Sequence, residues 1–446
     1  MLNGFAMLTS SDQYHQANFF GPDLLLQLDP RDPLILLSKA IPWQTFDQHF
    51  SSLYTQGRGR PCIPIRVMVG LLILKQLENL SDENIVLQWK RNPYYQAFCG
   101  IKTFQNKPPC HATERVRFRQ HIGVEGVELI FRMSVQLHGQ QVEEETVNID
   151  TTVQEKNITY PTDGKLAIKI IARLNKLAKQ QGIQQRRSYV KEVKLLRIQL
   201  RGFRYPKRRR QARKAVKRLR TMARILMREL CRTLPTDILE ACQEDFVRYD
   251  KILAQKRHDR DKLYSLHEPQ VYCVAKGKDH KPYEYGTKAS IVSTAQGGII
   301  LSAVSHPENI HDSNTLETVI QKANSIRPTP IKEAVCDQGY KGRKIVLGAD
   351  ILTPNSSQKA ENRYQQDKLR TKYRRRAAIE AQIGHLKSDY RLAVNYLKGA
   401  VGDAINLLMA ACAWNLRKWV LNALKRLFCA LEMLILIGFF RQMCVF

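Results

Sequence analysis

No Cys-x-x-Cys pair and no close Cys/His cluster occurs in the 446 residues, although ten cysteines are present, and this excludes the ligand spacing of a zinc module. The thiols, scattered from Cys62 to Cys444, read as reduced and mostly packed small hydrophobes of a cytosolic protein. Residues 1–13 have neither a basic n-region nor an apolar h-region, so no export is expected. Long apolar runs are missing too. The most apolar stretch, 427–440, is interrupted by Glu432 and flanked by Arg426 and Arg441. It is shorter than the roughly 20 residues that cross a bilayer, and a terminal helix seeking a partner is expected there in place of a membrane contact.

Acidic residues are also scarce: 41 Asp and Glu stand against 71 Lys and Arg, a net charge of +30. So large an excess repels itself unless polyanions sit against it. Nucleic acid is the leading partner, with ribosome-associated and membrane-surface proteins left open by charge alone. A hydrophobic content of 43% marks a folded chain, and its length suggests two to four domains.

Residues 1–55 form a mixed segment whose role is not legible. A basic strip, Gly57-Arg58-Gly59-Arg60-Pro61, leads into a helical run over 65–80, and Ser81 is placed to cap a second helix with Asp82 and Glu83 in its first turn. Asn92-Pro93 ends that helix, and Thr113 is placed to cap a third one bearing Arg115, Arg117 and Arg119. This pattern over 56–125 suits a helix-turn-helix-like DNA-binding domain; the alternative is a small bundle whose arginines face solvent.

Residues 146–152 turn β-like. A basic helical insertion follows at 165–268, where the stretch 165–232 holds 24 Lys and Arg but only two acids, Glu192 and Glu229. Charge of one sign at this density favours phosphate over a plain solvated face, and its densest point is Lys207, Arg208, Arg209 and Arg210. Strand character returns at 271–276 and 287–294, and the Gly297-Gly298 turn leads into 299–304. A helix over 313–323, short strands at 333–336 and near 351–352, and a helix over 373–390 complete an α/β pattern with mixed strand directions. A C-terminal helical segment takes up 396–446.

Asp150 and Asp337 each fall at the expected C-terminal end of a strand, where α/β sheets present ligand-binding groups, and Glu380 falls on the helix over 373–390. Three convergent carboxylates without His or Cys make a hard oxygen site suited to two Mg2+ or Mn2+ ions and to in-line phosphoryl displacement. Spacing alone does not show that the three meet.

Tyr373, Arg376, Glu380 and Lys387 reproduce a Tyr-x-x-Arg-x-x-x-Glu-(six residues)-Lys signature. In this the chain resembles the DDE transposases of bacterial insertion sequences, those grouped with insertion sequences four and five. Asp150-Thr151-Thr152 with Tyr160-Pro161-Thr162-Asp163 resembles the family's first-aspartate strand. Lys276-Gly277-Lys278 with the segment 283–288 resembles its second-strand region, and Asp337-Gln338-Gly339-Tyr340 its second-aspartate turn. The likeness spans most of 40–420.

The resemblance implies an RNase H-like catalytic core over 140–164 and 269–395, with Asp150, Asp337 and Glu380 as catalytic metal ligands. It implies cleavage of double-stranded DNA at the element's ends and joining of the 3′ ends to target DNA, by a homo-oligomer that needs no small-molecule substrate and no membrane, in the cytoplasm on the nucleoid. Tyr373, Arg376 and Lys387 would hold DNA near the cut; Arg376 reads equally as an ion-pair partner of Glu380. His311-Asp312 reads as a turn and helix cap, with a catalytic role as the lesser alternative. Only 43 positions separate Asp337 from Glu380, which leaves no room for the large β-rich insertion of some relatives, so hairpin formation on excised ends is not carried over. The rival functions are a metal-dependent nuclease of the same fold and a DNA-binding protein derived from a transposase that no longer cuts.

Overall fold

The computed structural model describes residues 23–54, 62–256, 258–275, 281–354 and 362–443. The basic strip 57–61, the segment 276–278 and residues 1–13 lie outside them.

Among the described residues seven helices come first: α1 Leu24–Gln27, α2 Pro33–Ala40, α3 Trp43–Ser51, α4 Ile65–Leu77, α5 Asp82–Trp89, α6 Pro93–Phe98 and α7 Ala112–Gln136. Strand β1, Thr146–Lys156, is followed by α8 Asp163–Gln180, α9 Val190–Leu200, α10 Arg209–Thr233 and α11 Thr236–Ala254. Then come β2 Tyr272–Ala275, β3 Tyr283–Thr294, β4 Ile300–His306, α12 Asp312–Asn324, β5 Glu333–Val335, β6 Ile345–Val346 and β7 Ala349–Leu352. The chain closes with α13 Arg363–Ser388, β8 Val394–Asn395 and α14 Gly399–Met443. The result is a mixed α/β protein with a helical N-terminal region. No helix of the described residues is long and apolar enough to cross a membrane.

Two compact units emerge, 1–154 with 288–306 and 310–446 in one, and 155–287 with 307–309 in the other. In the first, the sheet runs β3-β1-β5-β7-β6, with β4 beside β3 and β8 beside β1. The β1/β5 and β5/β7 pairs are parallel, and β3/β4 and β6/β7 are antiparallel. Val147, Ile149, Ile291, Ile300 and Ala334 are fully buried in the sheet, with Leu316 and Val319 of α12 and Leu407 and Leu416 of α14 in the same core. Each of the Val, Leu and Ile side chains contributes about 1.5–3 kcal/mol of burial.

Asn415 of α14 holds the start of β4 through both backbone groups of Ile300, each at 2.9 Å. The Trp414 indole donates to the Gly298 carbonyl at 2.8 Å, at the glycine turn whose φ of +60° needs a residue without Cβ.

Ser81 caps α5 as its side chain suggests, accepting from Asn84 N at 3.1 Å. Asn92 ends one helix and starts the next, accepting from Tyr94 N at 2.9 Å. Thr113 is not the cap of α7: His111 is, and Glu114 closes a capping box by accepting from His111 N at 2.9 Å.

In the second unit, α10 carries buried Ala215, Leu219, Met222, Leu226 and Leu230 at three- and four-residue steps. They pack with Leu166, Ile170 and Leu174 of α8 and with Tyr249, Ile252 and Leu253 of α11. The opposite face is basic. Arg218 meets Glu192 at 2.6 Å, whereas Lys207, Arg208, Arg209 and Arg210 at the entry to α10 are exposed.

Candidate active site

The register of the parallel pair builds the site. Thr146 lies opposite Glu333 and Asn148 opposite Val335, so two residues further along each chain Asp150 and Asp337 stand level and, by the two-residue period of a strand, on one face. The expectation that Asp150 ends its strand needs correction, because β1 continues to Lys156. It is β5 that stops at Val335, and Asp337, just past its end, begins a turn.

Asp337 caps a single 3-10 turn, Gln338–Tyr340, and its Oδ1 accepts from Gly339 N at 2.8 Å. Asp150 Oδ1 accepts from Thr151 N at 2.7 Å. Helix α13 brings in the rest. Arg376 donates from Nη2 to Glu380 Oε1 at 2.8 Å, the four-residue pair visible in the sequence. Its Nη1 lies 3.4 Å from Asp150 Oδ2, so one guanidinium ties the strand carboxylate to the helix carboxylate.

Electrostatics mark the cluster. Burial pushes the Asp150 carboxyl up to about 6; Thr151 N–H and Arg376 oppose this, and the charges of Asp337 and Glu380 add to it. Burial, then the charges of Asp337 and Asp150, also raise the Cys336 thiol. The functional donors here are carboxylate oxygens, a hard set that fits a divalent cation such as Mg2+ or Mn2+. As the side chains stand, no group of three His, Cys, Asp or Glu among the described residues is arranged to hold a metal ion. The Arg376 guanidinium lies between Asp150 and Glu380, and the Glu380 side chain is 62% exposed.

One neighbour was not legible as such. Asp312 does follow the helix cap His111's counterpart on α12, His311, whose Nδ1 accepts from Ser313 N, as the sequence suggests. Its carboxylate, however, borders the Asp337 turn: a Cβ on Gly339 would stand 3.0 Å from Asp337 Oδ1 and 3.3 Å from Asp312 Oδ2. Lys288 of β3 holds Asp312 Oδ1 at 2.8 Å. The available signal was Lys288 closing the segment 283–288.

Among the expected DNA contacts, Tyr373 Oη donates to the Thr353 carbonyl at 2.9 Å and Lys387 is half-buried. Arg117 is exposed. Arg115 and Arg119 do not fit that role. Arg115 is fully buried and donates to Leu71 O at 3.0 Å, and Arg119 makes a two-pronged pair with Asp82 at 2.7 Å for each contact. Both guanidiniums hold the helical region together, because a buried charge needs partners on every side.

Residues 23–121 match a family described as a transposase domain (DUF772), and residues 254–416 match the transposase DDE domain, a span that includes Asp337 and Glu380 but not Asp150. A Rhizobium meliloti protein named "Uncharacterized protein ORF8 in nfe locus" is 40% identical over 181 residues, 40% of this chain and 87% of that protein. No solved structure matches. Both matched families are transposase domains, and the chain belongs to the DDE transposases of insertion sequences, enzymes that cleave and join DNA.

Proposed function

We propose that this transposase binds the terminal inverted repeats of its insertion sequence, hydrolyses a phosphodiester at each end and joins the freed 3′ ends to target DNA. The observation that supports it best is the register that brings Asp337, just past the end of β5, level with Asp150 of the parallel strand β1, with Glu380 tied to Asp150 through Arg376.

In this reading 140–164 and 269–395 form an RNase H-like core, a parallel centre flanked by antiparallel strands being consistent with it. Asp150, Asp337 and Glu380 would hold two Mg2+ or Mn2+ ions, which supply charge stabilisation for the attacking and leaving oxygens. The Gly339 N–H fixes one oxygen of Asp337. Tyr373, Arg376 and Lys387 would position the DNA end. Arg117 and the exposed Lys207, Arg208, Arg209 and Arg210 would neutralise backbone phosphates. The helical region 56–125, the insertion 165–268 and the terminal segment 396–446 would serve end binding and assembly of a homo-oligomer on DNA.

The test is incubation with Mg2+ and a duplex carrying the inverted repeats that flank the gene. Wild type is expected to yield cut and joined products and Asp150→Ala none; identical products from both would remove the assignment.

A further inference from the structure

We propose that Arg376 is a charge placeholder: without DNA its guanidinium holds Asp150 and Glu380, and it must leave before a divalent cation binds there. This rests on the reading of Asp150, Asp337 and Glu380 as the metal ligands.

The geometry carries it. One Nη lies 2.8 Å from Glu380 Oε1 and the other 3.4 Å from Asp150 Oδ2, and the guanidinium side chain is only 15% exposed. A cation held by the strand and helix carboxylates would have to compete with the guanidinium for them. A guanidinium cannot be titrated away at any ordinary pH, so it yields only by moving.

The two tethers differ. The Glu380 contact is short, but its side chain is 62% exposed and therefore free to swing with the helix surface; the Asp150 contact is long at 3.4 Å, against a side chain 14% exposed. The weaker link is thus the one at the buried carboxylate, where a cation gains most from a low-dielectric setting.

A competing anion is what releases such a group. Arg374 and Arg375, beside Arg376 on α13, are exposed, as are Lys368 and Arg370 one to two turns earlier. A DNA backbone drawn to this basic run presents phosphate oxygens to which a guanidinium binds through paired hydrogen bonds. Arg376 then exchanges two carboxylates for phosphate, and the vacated oxygens accept the cation. DNA and metal therefore favour each other's binding, and by linkage the effect is reciprocal. Cutting is confined to protein already on DNA.

A simple positioning role for Arg376 predicts the opposite sign. If the guanidinium only held the carboxylates in place for the metal, its removal would weaken metal binding.

The experiment titrates the full chain with Mn2+ and follows free Mn2+ by electron paramagnetic resonance, without DNA and with the inverted-repeat duplex. Arg376→Gln is expected to bind Mn2+ about 10-fold more tightly than wild type without DNA. The duplex should raise wild-type affinity by a similar factor and leave the variant nearly unchanged. Arg376→Lys, which keeps a charge at the site, should stay close to wild type, and circular dichroism checks that both variants fold. Equal or weaker Mn2+ binding by Arg376→Gln would overturn the placeholder. Asp337→Asn separates the two ideas: if it binds Mn2+ as wild type does, the metal site itself is elsewhere and the proposal falls with it.

Discussion

Asp82 reaches the fully buried Arg115 at 3.0 Å, linking the start of α5 to the first turn of α7 across 33 positions of sequence. The same carboxylate takes both Nη atoms of Arg119 and lies 3.3 Å from Lys75. Burial would raise its pKa, but the Arg119 hydrogen bonds and the charges of Lys75 and Arg115 hold it well below the usual carboxylate range.

Asp82→Asn therefore leaves a buried guanidinium without its counter-charge. Such a loss costs about 3–5 kcal/mol, and the first unfolding transition in urea should move to clearly lower denaturant. A midpoint within error of wild type would show that Arg115 is held by the backbone carbonyls alone.

Lys75 gives a pH dependence. Burial lowers its amine from 10.5 to about 7, against the opposing charge of Asp82, while Arg119 and Arg115 add to the lowering. The unfolded chain thus binds a proton that the folded chain lacks between about pH 7 and the ordinary value, so this group's contribution to stability rises with pH across that window. Comparing unfolding midpoints at about pH 7 and about pH 9.5 should show a rise in wild type that is smaller in Lys75→Met. An equal rise in both would place the effect on other groups.

Neutralising Lys207, Arg208, Arg209 and Arg210 together should weaken DNA binding and flatten its dependence on salt. Each phosphate contact contributes about 0.9 to the slope of log affinity against log salt, so a loss of up to about 3.6 is expected. An unchanged slope would mean that the exposed cluster meets no phosphate.

Gly339→Ala should impair cutting without weakening DNA binding. The added Cβ would crowd Asp337 Oδ1 at 3.0 Å and Asp312 Oδ2 at 3.3 Å, shifting a carboxylate whose placement matters at the scale of an ångström. A fall in cleavage rate of about 10-fold to 100-fold follows; a wild-type rate would show that the turn adapts.

What could be read in the sequence was local. Ser81 as a cap, the strand before Asp150, the strand into Asp337 and the helix carrying Tyr373, Arg376 and Glu380 all follow from side-chain periodicity and short-range capping. The Arg376–Glu380 pair was legible too, since residues four apart on a helix are neighbours.

What could not be read was the partner at a distance. Arg376 also meets Asp150, 226 positions away, and nothing local signals that pairing. Arg115 and Arg119 looked like a basic DNA-facing helix, because helical periodicity assigns faces but does not say which charged face an acid elsewhere will cover; Asp82 covers this one. His111 displaced Thr113 as the cap because Glu114 completes the reciprocal bond. The two-residue strands β6 and β8 are too short to leave a pattern, existing only through their neighbours.

We propose that Asp150, Asp337 and Glu380 carry metal-dependent cutting, while DNA affinity rests mainly on basic residues elsewhere. This is tested most directly by measuring cleavage and binding of the inverted-repeat duplex side by side for Asp150→Asn, Asp337→Asn and Glu380→Gln. Each should lose cleavage by roughly a hundredfold or more while still binding the duplex, with affinity changed by no more than the roughly 10-fold coupling between metal and DNA. Cleavage at the wild-type rate by any one of the three would show that this carboxylate does not hold the metal.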